Sequence, residues 1–192
     1  MSDKAIIDDL KKQLKDKDET LYEHSKRLQK LAKKCVAVLD VDDEQKADIV
    51  TAALLHDIGI LALPNALIYK TDRLSLDEYE TLQTHVTAGL DLIEPLSHAD
   101  RIAPMIKHHH ENINGFGYPD GLSEEVIPYG ARLIHIIEAF DSMVFPRRST
   151  KTPFTPQQAI TELNEFSGRI YDTEILGKII PILLKTKVEV TP

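Results

Sequence analysis

The chain has 192 residues, 42% hydrophobic and 28% charged, which fits one soluble globular domain of ordinary size, or one domain with a short extension. A formal net charge of −8 argues against nonspecific binding of duplex nucleic acid, and the absence of Trp with only 6% aromatic residues argues against a stacking surface for single strands. The single Cys35 rules out a disulfide framework, and no apolar run reads as a signal peptide or a bilayer span, so the expectation is cytoplasmic residence without a membrane partner.

The pattern is nearly all helical. Ile7, Leu14, Leu21, Leu28 and Cys35 recur every seven residues, with Leu10 and Leu31 three residues after two of them. That spacing predicts a long amphipathic helix, or two helices broken near Asp18. Its heptad-like start leaves room for a homodimer or a regulatory protein partner. Asp40 to Asp43 read as an acidic turn. Glu44 to His56 read as a helix with Ile49, Ala53 and His56 on one face and Gly59 as its stop. Residues 61–73 read as a loop around Pro64.

Ser75 and Glu78 form a capping box opening a helix that carries His85. Ser97 is expected to cap another helix, running to His109. Residues 111–128, with three glycines and two prolines, read as an irregular loop. Tyr129 to Val144 read as helix, followed by a basic loop with Arg147, Arg148 and Lys151. Thr155-Pro156 with Gln158 opens a further helix. The last helix lies near 173–185 and contains Pro181, where a kink is expected. No strand, internal repeat or low-complexity tract stands out.

Several helices each send one ionisable group to their apolar face. His24 lies four and seven residues before Leu28 and Leu31. His56 follows Ile49 and Ala53. His85 shares a face with Leu82, Gly89 and Leu92. His109 shares one with Ile102, Met105 and Ile106, and Glu138 with Ile134 and Asp141. One such imidazole is usually a hydrogen-bonded core residue. Five inward groups, with a His56-Asp57 pair and a His109-His110 pair, would cost several kcal/mol in total if left unpaired. Transition metals bind neutral imidazoles and carboxylates. Asp57 can bridge two cations through its two oxygens. The other three of the eight histidines, His98, His108 and His135, are read as surface residues or as neighbours of the site.

These residues resemble the HD-GYP family, a branch of the HD phosphohydrolases. The matching pieces are His24-Ser25-Lys26-Arg27, then Leu54-Leu55-His56-Asp57-Ile58-Gly59 with Pro64, then His85. After them come His109-His110-Glu111, Asn114-Gly115, Gly117-Tyr118-Pro119 and Gly121-Leu122, then Ile127-Pro128, Ala131-Arg132 and Phe140-Asp141. Their order and spacing hold from about residue 18 to 185.

The resemblance implies an all-α fold, an HD-domain helical bundle with an additional C-terminal helical hairpin. It places an N-terminal helical extension or linker at 1–18 and a metal-dependent phosphohydrolase domain at 19–192. It implies two divalent transition metals, iron or manganese, and hydrolysis of a cyclic dinucleotide, cyclic di-GMP, to pGpG or GMP. By position, one metal would be held by His24, His56, Asp57 and Glu138 and the other by Asp57, His85, His109 and His110, with Asp57 as the bridging catalytic carboxylate. Gly117, Tyr118, Pro119 and Arg147 fall in the family's substrate-contacting segments.

Four departures matter. Ile60 stands where the family has a lysine three residues after the HD aspartate. Glu138 replaces a usual aspartate. Thr20 stands where three-metal members carry a glutamate. Arg147-Arg148-Ser149-Thr150 replaces an Arg-Pro-Tyr-basic run. A phosphodiesterase of reduced activity, a nucleotide receptor or interaction module, and a hydrolase for another phosphorylated nucleotide are therefore all readings of this sequence.

Overall fold

A computed structural model describes residues 2–146 and 152–187. Among the described residues, ten α-helices pack around one core: α1 Asp3–Lys17, α2 Glu19–Cys35, α3 Asp43–Leu55, α4 Asn65–Ile68, α5 Leu76–Gln83, α6 His85–Ile93, α7 Ala99–Lys107, α8 Tyr129–Val144, α9 Pro156–Glu165 and α10 Thr173–Leu183. Among the described residues, β-structure is limited to two isolated bridges, Asn114 with Ser123 and Ser167 with Tyr171. No described helix is long and apolar enough to cross a membrane.

The seven-residue pattern divides between two helices. Asp18 ends α1 in an extended conformation and its carboxylate accepts from the N–H groups of Thr20 and Leu21, starting α2. Leu10 and Leu14 of α1 are buried in the same core as Leu21, Leu28 and Cys35. Burying those two leucines of α1 is worth on the order of 3–6 kcal/mol. The capping boxes at Asp42/Gln45, Ser75/Glu78 and Thr155/Gln158 are all formed, fixing the starts of α3, α5 and α9. α8 runs through the centre: Leu133, Ile134, Ile136, Ile137 and Phe140 are fully buried. The pair α9 and α10 packs against it as the C-terminal hairpin.

Several local expectations are corrected. Gly59 is not a helix stop. It lies in a 3₁₀ turn, Ile58–Ala62, laid directly on the start of α6. The loop at 61–73 contains the short helix α4. The helix expected through His85 is broken at Thr84 into α5 and α6. Ser97 does not cap α7; its N–H and hydroxyl are held by the Asp3 carboxylate, and His98 takes the cap position without a side-chain bond. α7 ends at Lys107, leaving His108–His110 as a turn, and α10 ends at Leu183 with Pro181 in its last turn.

Candidate metal centre

The site lies where helix ends meet the interior of α2 and α8. His56 is the C-cap of α3 and Asp57 follows it. His85 opens α6 immediately after α5 ends, and His109 and His110 follow the end of α7. His24 comes from the middle of α2 and Glu138 from α8. All seven residues expected as metal ligands converge here. They form two groups, Asp57 with His85, His109 and His110, and His24 with His56 and Glu138, in each of which the donor atoms lie within 4.8 Å of one another. Asp57 faces both groups: Oδ1 is 3.3 Å from His85 Nε2 and Oδ2 is 3.5 Å from His56 Nε2.

The hydrogen bonds around the rings decide what they offer. His56 Nδ1 donates to the Ala53 carbonyl (3.0 Å), His85 Nδ1 to Leu82 (2.7 Å) and His109 Nδ1 to Ile106 (2.7 Å). A carbonyl only accepts, so the proton sits on Nδ1 and Nε2 carries a lone pair. Those three Nε2 atoms are buried and make no hydrogen bond. Lone pairs and carboxylate oxygens facing one another in a dry site repel, and divalent cations would satisfy them. Burial pulls the His56 pKa down to about 4, and burial with neighbouring imidazoles holds His109 and His110 well below the usual range. Neutral imidazole is the form that binds metal. The donor set therefore fits two divalent transition metals.

Sequence reasoning left several neighbours without a role. Asp141 accepts from His24 Nδ1 at 2.7 Å and from both Arg27 Nε and Nη2 at 2.8 Å. Its position three residues after Glu138 was the available signal. Glu111 is 2% exposed; its Oε1 accepts from the Asp120 N–H (2.8 Å) and its carbonyl accepts from His135 Nδ1 (3.0 Å). His135 thus adjoins the site, packed edge-on against Tyr171 (5.1 Å between ring centroids), and burial lowers its pKa to about 4. His98 and His108 are elsewhere, paired with Asp3 and Asp120.

The loop after His110 covers the site. Tyr118 stacks on His110 with ring centroids 4.8 Å apart at 28°. Gly117 lies flat on the Glu111–Asn112 backbone: a Cβ there would be 2.3 Å from Asn112 N. The Tyr118–Pro119 peptide is cis. Phe116, 84% exposed, projects from the loop tip. Ile60 is 5% exposed and belongs to the apolar core, so its position supplies no cation. Arg147, Arg148 and Lys151 lie outside the described residues.

The HD domain family matches residues 9–175. The cyclic di-GMP phosphodiesterase of Thermotoga maritima is 29% identical over 179 residues, covering 91% of this chain and 47% of that protein. A cyclic di-GMP phosphodiesterase response regulator of Xanthomonas campestris is 31% identical over 144 residues, covering 74% of this chain and 38% of that protein. Among solved structures, a cyclic GMP-AMP specific phosphodiesterase of Vibrio cholerae superposes with a TM-score of 0.69 at 18% identity, over 96% of this chain and 49% of that one. The chain spans less than half the length of each of these proteins.

Proposed function

The chain belongs to the HD domain family, and on that premise we propose that it is a metal-dependent phosphodiesterase that hydrolyses cyclic di-GMP to pGpG or GMP. The observation that carries this reading is the convergence of five imidazoles and two carboxylates into two donor groups with Asp57 between them. Iron or manganese would be held by His24, His56, Asp57 and Glu138, and by Asp57, His85, His109 and His110. When bound, such a pair lowers the pKa of a water, supplies a nucleophile and stabilises charge on the phosphoryl group.

The other roles belong to the chain. Asp57 offers one oxygen to each group, which suits a bridging carboxylate. Tyr118 is held by its stack on His110, and burial, with Glu138 and Tyr79 nearby, pushes its hydroxyl above the ordinary phenol range. It stays protonated and can donate to a phosphate oxygen. Gly117 and Pro119 shape the loop that carries it. Arg147 is proposed as a phosphate partner because a guanidinium matches two phosphate oxygens.

Ile60 favours a second reading, a cyclic-dinucleotide receptor with little turnover. Losing one charge-assisted contact to the transition state costs on the order of 2–4 kcal/mol, roughly thirty- to a thousand-fold in rate. The test loads the protein anaerobically with Fe(II) or Mn(II), measures metal per chain, and assays cyclic di-GMP beside cyclic GMP-AMP. Two metals with release of pGpG or GMP support the phosphodiesterase. Two metals and nucleotide binding without turnover select the receptor, and preference for cyclic GMP-AMP changes the substrate. Absence of bound metal refutes both readings.

A further inference from the structure

His24 is held differently from three of the other imidazoles of the site. The carbonyls that orient His56, His85 and His109 belong to Ala53, Leu82 and Ile106, in the last turns of α3, α5 and α7. There the backbone acceptors lack the helical partner four residues on that interior carbonyls have, although Leu82 also takes the Thr84 N–H. His24 lies inside α2, where the carbonyl three residues back, that of Leu21, is within the helix's own ladder. A mid-helix imidazole needs an acceptor from elsewhere.

That acceptor comes from α8. His24 Nδ1 is 2.7 Å from Asp141 Oδ2. Arg27 clamps the same carboxylate, with Nε 2.8 Å from Oδ1 and Nη2 2.8 Å from Oδ2, and its guanidinium lies over the Phe145 ring at 4.8 Å. The spacing matches on both helices. His24 and Arg27 are three residues apart on α2, and Glu138 and Asp141 three apart on α8. Each helix therefore presents one residue to the metal group and one to the clamp. Asp141 is 2% exposed. Two guanidinium N–H groups and one ring nitrogen converge on its two oxygens, an environment that suits the ionised carboxylate. An ionised carboxylate only accepts, so the shared proton belongs to His24 Nδ1, which in the neutral ring leaves the lone pair on Nε2.

We propose that Asp141, clamped by Arg27, is the positioning residue that fixes the His24 tautomer and so prepares the metal position formed by His24, His56 and Glu138. The position at Asp57, His85, His109 and His110 does not depend on it. The inference rests on the two-metal reading above. It assigns Asp141 no contact with substrate; its effect passes through His24.

The test uses the whole chain. In metal-stripped protein at pH 8, imidazole nitrogen NMR should find His24 protonated on Nδ1. Asp141→Asn removes the charge that holds the proton on Nδ1 and leaves one acceptor oxygen for His24 and Arg27 to share, so the proton should no longer be confined to Nδ1. After loading with Mn(II), metal per chain should fall from about two to about one, with affinity at the lost position reduced about 10–100-fold. Asp141→Glu should regain part of the second metal, which loss of packing alone would not predict. Wild-type His24 protonated on Nε2, or an Asp141→Asn protein holding two metals with unchanged affinity, would overturn the proposal. If Asp141→Asn does not fold, the wild-type tautomer and Arg27→Gln decide; unchanged Mn(II) affinity in Arg27→Gln removes the clamp. A wild-type chain that binds fewer than two Mn(II) while His24 keeps its proton on Nδ1 refutes the two-metal reading and supports the tautomer assignment.

Discussion

Gly59→Ala tests how tightly the site is built. Gly59 lies two residues after Asp57, in the 3₁₀ turn on which α6 rests. A Cβ there would lie 1.9 Å from the His85 carbonyl oxygen, 2.6 Å from Gly89 N and 2.8 Å from the His85 carbonyl carbon. All three are backbone atoms, so no side chain can swing away. Ordinary contact begins at 3.4 Å, so the first pair must open by 1.5 Å. That movement falls on the residue whose Nε2 stands 3.3 Å from Asp57 Oδ1. Metal–ligand distances tolerate only about 0.2 Å. Overpacking of this kind costs about 1–3 kcal/mol, which for a chain of this length lowers Tm by roughly 2–12 °C.

The assay is a thermal melt with and without chelator, plus metal content on the same samples. Gly59→Ala should melt lower even when metal-free and should lose the metal at the His85 position. Gly177→Ala is the control: a Cβ at Gly177, inside α10, meets nothing within 4 Å. That change should stabilise by up to about 1 kcal/mol. A Gly59→Ala protein with wild-type Tm and two metals would refute the argument that this backbone contact sets the site.

Three other outcomes are expected. Gly117→Ala places a Cβ 2.3 Å from Asn112 N and 2.4 Å from Glu111 Cα, so it should lift Tyr118 off His110; calorimetry should register about tenfold weaker cyclic di-GMP binding at a cost of about 1–3 kcal/mol. Leu14→Ala removes a side chain 2% exposed in the core and should cost about 2–5 kcal/mol in urea unfolding; a loss well under 1 kcal/mol would mean that α1 does not share the core. Burial pushes the Cys35 thiol up to about 12, leaving about a thousandfold less thiolate at pH 8 than an ordinary cysteine; iodoacetamide should modify it only in denaturant, as mass spectrometry would record.

The convergence of the site's side chains was legible because it follows helical spacing. Helical spacing put His24, His56, His85, His109 and Glu138 on apolar faces, and the structure brings all five together. The sequence supplied the break at Asp18 and both ends of α8, but not the helix ends next to His85 and His109. The break at Thr84 has no glycine or proline to announce it, yet the Leu82 carbonyl beside it, which also takes the Thr84 N–H, is the acceptor for His85. Gly59 reads as a stop by residue type, whereas its use is a backbone contact with α6, a tertiary fact. Ser97 reads as a cap, but a carboxylate 94 residues away claims it. Asp141 and Arg27 are ordinary charges until α2 and α8 are laid side by side.

The same helix ends explain why cations would settle at this place in the fold. α3, α5 and α7 all finish at the site, at His56, just before His85 and just before His109. A helix C-terminus carries roughly half a negative charge on its unsatisfied carbonyls. Two such ends, of α5 and α7, serve the Asp57 group through His85 and His109, one, of α3, serves the His24 group through His56, and last-turn carbonyls are also the acceptors that hold these three imidazoles. α6 opposes this with the positive end that begins at His85, and α2 and α8 pass by without ending there. The His24 side of the site therefore has fewer helix ends at its disposal. It makes up the difference with side chains, Glu138 toward the donor group and Asp141 behind the ring. His56, His85 and His109 are oriented by helix termini, whereas His24 is oriented by a carboxylate brought 117 residues along the chain.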